Sequence, residues 1–135
     1  MIIDSNLLDA LTAQAQESPR LRMNYDLRNS NLDTSQRLLN ALEPETVLPI
    51  HRHRTTSETI VILRGRATQY LYDDQGNVVE QVALAPQSGV VGMSVEAGRW
   101  HRLVCHESGT VILECKVGTY EPLSSDDILN GDGAV

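Results

Sequence analysis

Phenylalanine is missing from this 135-residue chain, and tryptophan occurs once. The core must therefore be packed by valine, leucine and isoleucine, which suits strands. Lysine is scarce as well: ten of the eleven basic residues are arginine, and Lys116 stands alone. The planar fork of arginine matches carboxylates and phosphates, so this bias fits a pocket for a small anionic molecule, with genomic composition as the plainer source. Positive charge as a whole is in deficit, with a net charge of -7 and a pI near 4.9. That balance argues against a nucleic-acid partner or an anionic membrane surface. Only two cysteines occur, Cys105 and Cys115, and the opening MIIDSNLLDA has neither a basic region nor an apolar stretch fit for secretion. A cytoplasmic protein with reduced thiols is the expectation. No apolar run approaches the length of a membrane span. At 14.9 kDa the chain suffices for one domain with a single core.

What is present concentrates in one stretch, PIHRHRTTSETIVILRG. Residues 47–53 read as a strand, which places His51 and His53, two apart, on one face. After a polar turn, Glu58 opens a second β-branched run that Gly65 closes. If Ile60 and Ile62 face a core, so does Glu58. A carboxylate there is costly without a positive partner, and a divalent metal satisfies two imidazoles and a carboxylate together. Far down the chain Gly98 starts another strand, and His101 lies three residues in.

This arrangement resembles the cupin superfamily. His51, His53, Glu58 and Gly65 match its first motif, with gaps of four and six residues, and Gly98 with His101 match the G-x-x-H of its second. Glu45, Glu96 and Cys105 depart from the glycine, proline and asparagine of those motifs, and none of the three is a ligand position.

The rest of the chain reads as a helix and short strands. Residues 4–17 form an amphipathic helix with Leu7, Leu8, Leu11 and Ala15 on one stripe and Pro19 beyond its end. Residues 20–28 alternate, with Leu21, Met23, Tyr25 and Leu27 on one side and polar residues on the other. That polar face either meets water or lines the mouth of a cavity, where Arg22, Asn24 and Arg28 would hold an anionic ligand. Further strands are expected over residues 36–42, 58–64, 67–73, 78–84, 90–95, 100–105 and 110–117, with a hairpin turn at Gly76. About nine strands and one helix predict an all-β fold, the double-stranded β-helix or jelly roll that the cupin resemblance also implies. The division is an N-terminal helix packing on the barrel (1–19), the barrel itself (20–123) and an exposed acidic tail (124–135). By parity Cys105 shares a face with His101, and Arg64 shares one with Glu58. Glu114, Lys116 and Tyr120 are candidate acids or bases, or ordinary surface residues.

Three imidazoles and one carboxylate suit Fe, Mn, Ni, Zn or Co, and four ligands on an octahedral ion leave two positions open. SPRLRMNYDLRNS, NALEPETVLPIHRHRTTSETIVILRG, AGRWH and ECKVGTYEPL are similar to the WbuC family of small cupin metalloproteins, over nearly the whole chain. That resemblance implies one divalent metal ion on His51, His53, Glu58 and His101, in bacterial surface polysaccharide (O-antigen, lipopolysaccharide) biosynthesis. The expected function is Lewis-acid isomerisation or epimerisation of a sugar or sugar phosphate. An Fe(II)-dependent dioxygenase and a non-catalytic module for a small anionic or carbohydrate ligand are the alternatives. A homodimer is expected from exposed strand edges.

Overall fold

A computed structural model of the chain describes residues 1–129. It holds one α-helix, α1 (Ser5–Glu17), and eight strands: β1 (Arg22–Asp26), β2 (Ser35–Leu42), β3 (Glu58–Arg64), β4 (Ala67–Tyr72), β5 (Val78–Leu84), β6 (Gly92–Val95), β7 (Trp100–Cys105) and β8 (Thr110–Val117). The strands form a five-stranded sheet in the order β1-β2-β8-β3-β6 and a three-stranded sheet in the order β5-β4-β7. Every pairing is antiparallel, and the architecture is the expected jelly roll.

Period-two patterning assigns the two faces of the larger sheet. On β2, Leu39 and Ala41 point out to α1, while Asn40 and Leu42 point in. On β8, Val111 and Leu113 point out, and Ile112, Glu114 and Lys116 point in. The inner core between the sheets joins Leu42, Ile60, Ile62, Leu84, Leu103 and Ile112, while the buried aromatic rings of Tyr72 and Trp100 pack with Ile50 in a separate cluster. Outside the sheet, Leu8, Leu11 and Ala15 of α1 bury themselves on Leu39, Ala41 and Val111. Two buried leucines stabilise that docking by roughly 3–6 kcal/mol. Asp4 caps the helix by accepting from the Leu7 amide at 3.0 Å.

One expected strand is absent. Residues 47–53 make no ladder, because Pro49 has no amide hydrogen to donate. Instead, His51 alone forms isolated bridges, to His101 on one side and Ile128 on the other. The glycine that ends the first motif has a steric reason. Gly65 has φ +90°, and a Cβ there would collide with Thr110, from the start of β8.

The C-terminal segment differs from the exposed tail expected of it. Ser125–Asp127 forms a short 3-10 helix, Asp127 accepts from Arg52 Nε at 3.2 Å and Arg54 Nε at 2.7 Å, and the Leu129 amide donates to Ile50 O at 2.8 Å. The Asp127 carboxylate is thus recruited by Arg52 and Arg54, the arginines beside His51 and His53. The remainder of that expected tail, 130–135, lies outside the described residues.

Candidate metal centre

Each histidine of the site is positioned by main chain. His51 and His101 exchange both backbone hydrogen bonds, at 3.0 and 2.8 Å, so their side chains leave one face as neighbours. Their ring centroids are 4.2 Å apart, and His53 lies 5.1 Å from His51 and 5.7 Å from His101. The nitrogens of the three rings lie within 4.8 Å of one another. Nδ1 of His51 donates to Pro49 O at 3.1 Å, and Nδ1 of His101 to Arg99 O at 2.9 Å. A carbonyl only accepts, so both rings carry their proton on Nδ1 and turn the Nε2 lone pair inward, as metal-ligating imidazoles do.

Glu58 completes the cluster. It stands inward on β3 above Ile60 and Ile62, with Oε2 3.2 Å from His53 Nε2 and Oε1 3.6 Å from His101 Nε2. Despite this proximity, Nε2 of His53 and of His101 are buried and find no hydrogen bond of acceptable geometry among the described residues. Buried polar atoms are ordinarily paired. Here they converge on a shared point with the carboxylate, and three imidazoles with one carboxylate are a donor set that fits a divalent transition metal.

The charges agree with that reading. Burial, reinforced by His101, pushes the His51 pKa down to about 4, so the ring is neutral near pH 7. Burial works against ionising Glu58, but His101 and His53, which donate from Nε2 when protonated, outweigh it and hold its carboxyl below the usual range. Glu114 goes the other way. Burial and then the Glu58 charge raise its pKa to about 8, against the pull of Lys116.

The cluster borders a cavity of about 420 Å³, within the range of small-molecule sites. Arg22 and Asn24 line it, as do Glu114, Lys116 and the exposed Tyr120. Lys116 stands directly across from Glu58 in the β3–β8 register, with Nζ 3.3 Å from His53 Nδ1. Arg28 is not among the lining residues. It forms a two-pronged pair with Asp26 at 2.8 and 3.1 Å, because the local Asp-x-Arg spacing on β1 satisfies the guanidinium first. Arg64 also leaves the cavity. A register shift after Ile62 turns it out to α1, where it meets Asp9 at 2.6 Å and Thr12 at 2.9 Å. Cys105 keeps the inward parity but lies in the hydrophobic core, its thiol donating to Glu107 O at 3.1 Å and its pKa raised by burial.

Two parts of the site went unread in the sequence. Asn40, 6% exposed, shares the cavity wall with Gln36 and Leu38, and counting by twos back from Leu42 would have found it. The second is the segment carrying Asp127, for which the pairing of an acidic tail with Arg52 and Arg54 was the available signal. Arg52 also lies 4.3 Å over the Trp100 ring, beside His101.

The family described as "Domain of unknown function (DUF6016)" matches residues 3–84, a span that includes His51, His53 and Glu58. No curated protein matches the chain. Among solved structures, KdgF from Halomonas sp. aligns with a TM-score of 0.61 and 12% identity over 77% of this chain and 84% of that one. The capsular polysaccharide assembling protein CapF from Staphylococcus aureus aligns at 0.63 and 13%, over 73% of this chain. The match spans only 27% of that protein. The TDP-quinovose 3,4-ketoisomerase WlaRB from Campylobacter jejuni aligns at 0.56 and 17%, over 75% and 72%.

Proposed function

The chain belongs to the DUF6016 family and has the cupin fold of these solved structures, and on that premise we propose that it binds one divalent metal ion and acts on a sugar or sugar phosphate. The convergence of three imidazoles and Glu58, with buried, unpaired Nε2 atoms on His53 and His101, at the edge of an open cavity carries this reading. His51, His53, His101 and Glu58 hold the ion. When bound, such an ion polarises a carbonyl oxygen of the ligand. Isomerisation or epimerisation next to that carbonyl moves one proton off carbon and returns one. Glu114, titrating near pH 8 in the cavity wall, is suited to that exchange. Arg22 and Asn24 face the ligand from the edge of the sheet.

The neighbours supply context for this reading: one is a ketoisomerase of a nucleotide sugar and one assembles capsular polysaccharide. With the WbuC resemblance, they support a place in surface polysaccharide biosynthesis. We extend the proposal to a cytoplasmic homodimer, which light scattering of the purified protein would check. Among the described residues no helix is long and apolar enough to cross a membrane.

The test is elemental analysis of untagged protein purified without chelator, together with a sugar-phosphate isomerase screen. One metal per chain in the wild type, and loss of metal and turnover in the Glu58→Gln/His101→Ala variant, is the expected result. No metal after reconstitution with Fe, Mn, Ni, Zn or Co would refute the site. Metal with saturable binding but no product would leave a metal-dependent binding module.

A further inference from the structure

Across the inner face of the larger sheet, from its edge towards the histidines, the side chains change character strand by strand. β1 offers Arg22 and Asn24, β2 offers Asn40, β8 offers Glu114, and β3 offers Glu58. The registers make this a continuous row. Asn24 pairs directly with Asn40, and Asn40 pairs with Ile112, one inward position from Glu114. Ile60 pairs with Glu114, one inward position from Glu58. The row runs diagonally: three inter-strand gaps span roughly 14 Å across the strands, and Glu58 lies two inward positions further along them than Asn24.

Asn40 is the unexplained member. It is 6% exposed, its Oδ1 has no hydrogen-bond partner, and its amide makes no side-chain hydrogen bond among the described residues. A leucine at this position would fit the core below it, where Leu42 and Ile112 already pack. A buried amide without partners costs stability, and it faces a cavity that also presents Arg22, Asn24, Gln36, Glu114 and Lys116. Asn40 thus offers an acceptor and a donor pair to something that enters the cavity, which describes the hydroxyls of a carbohydrate.

We propose that Asn24 and Asn40 form a hydroxyl-binding subsite between the metal centre and Arg22, so that the ligand is a hexose phosphate. Its carbonyl end lies at the histidines, its middle hydroxyls at the asparagines and its phosphate at Arg22 and the neighbouring Arg20. The inference rests on the proposed reading of the cavity as a sugar site, and adds to it an orientation and the residues that read the hydroxyls. A phosphate in the opposite orientation would exchange the guanidinium forks for Lys116 with the Glu58 carboxylate directly across from it, and would leave the arginines facing a neutral end.

The experiment is calorimetric titration of metal-depleted and metal-reconstituted protein with aldohexose and ketohexose 6-phosphates, with neutral hexoses and inorganic phosphate as controls. At least one hexose phosphate is expected to bind both forms, more tightly than inorganic phosphate by a factor of ten or more. Asn40→Leu should weaken that binding at least tenfold while raising the melting temperature, a pairing of effects that a structural asparagine would not give. Arg22→Gln, on the edge strand, should weaken hexose phosphates tenfold and leave neutral hexoses unchanged. The proposal is overturned if no hexose phosphate binds, if inorganic phosphate binds as tightly, or if Asn40→Leu keeps full affinity or loses stability. Elemental analysis of the same preparations separates the two readings: absence of metal defeats the metal site, whereas metal without these binding differences defeats the subsite.

Discussion

Replacing Glu114 by glutamine keeps the shape of the side chain and removes its titration. In the wild type the carboxyl has its ordinary pKa of 4.5 in the unfolded chain and about 8 when folded, because burial and the nearby Glu58 charge disfavour ionisation. Between those values the folded protein keeps a proton that the unfolded chain has released. Folding therefore takes up a proton, and the contribution of Glu114 to stability is fully present below pH 4.5 and lost as pH rises through 8. From pH 6 to pH 8 the slope starts at 1.36 kcal/mol per pH unit and falls to half that at pH 8, where the folded carboxyl is half ionised, so the loss is about 2 kcal/mol. Urea unfolding of metal-depleted wild type and Glu114→Gln at pH 6, 7 and 8 measures it directly. All other titrating groups are common to both proteins, so the difference between the two curves isolates Glu114. The wild type should lose about 2 kcal/mol more than the variant over this interval. Parallel curves would show that the carboxyl is already ionised at pH 6 and would refute the argument that the cavity wall holds it protonated.

Other consequences are more local. Gly65→Ala places a Cβ against Thr110 at φ +90° and should cost at least the 1–3 kcal/mol of a strained backbone position, read by urea unfolding. Leu11→Ala, at a 3% exposed position of α1, should cost about 2–5 kcal/mol and loosen the helix from the sheet, visible as faster amide exchange throughout α1. Asp127→Asn removes the charge that Arg52 and Arg54 share. The Leu129 amide, bonded to Ile50, should then exchange faster, and added salt should change wild-type exchange more than that of the variant.

The fold was legible because its signals are local. Alternation along a strand shows its two faces, and a glycine at a turn shows where it ends. The pattern of Leu8, Leu11 and Ala15 was enough to dock α1 on the outside of the sheet. Local signals also misled in defined ways. Residues 47–53 have strand composition, but Pro49 prevents the ladder and leaves His51 to pair alone with His101. Arg64 has the parity of Glu58 until the register shift after Ile62 reverses its face, and Arg28 is taken by Asp26 two residues away. Counting by twos cannot register a bulge, and it cannot rank a local ion pair against a distant ligand.

The metal centre and the cavity wall differ in this respect for a physical reason. A metal requires particular donor atoms at close quarters, so candidate ligands come from few residue types, and three of the four here, His51, His53 and Glu58, sit on one short stretch of chain. Such residues are conspicuous in any sequence. The wall opposite is assembled by register across β1, β2, β8 and β3, elements separated by tens of residues, from side chains such as asparagine that are ordinary at a surface. Asn40 becomes informative only when its burial is known, because an exposed amide hydrogen-bonds to water at no cost, while a buried one must find a partner. Its Oδ1 has none among the described residues, and it faces the same cavity as His51 and Glu58. The sequence motif therefore identifies what chemistry the site can support, and the unpartnered wall indicates what kind of molecule is brought to it.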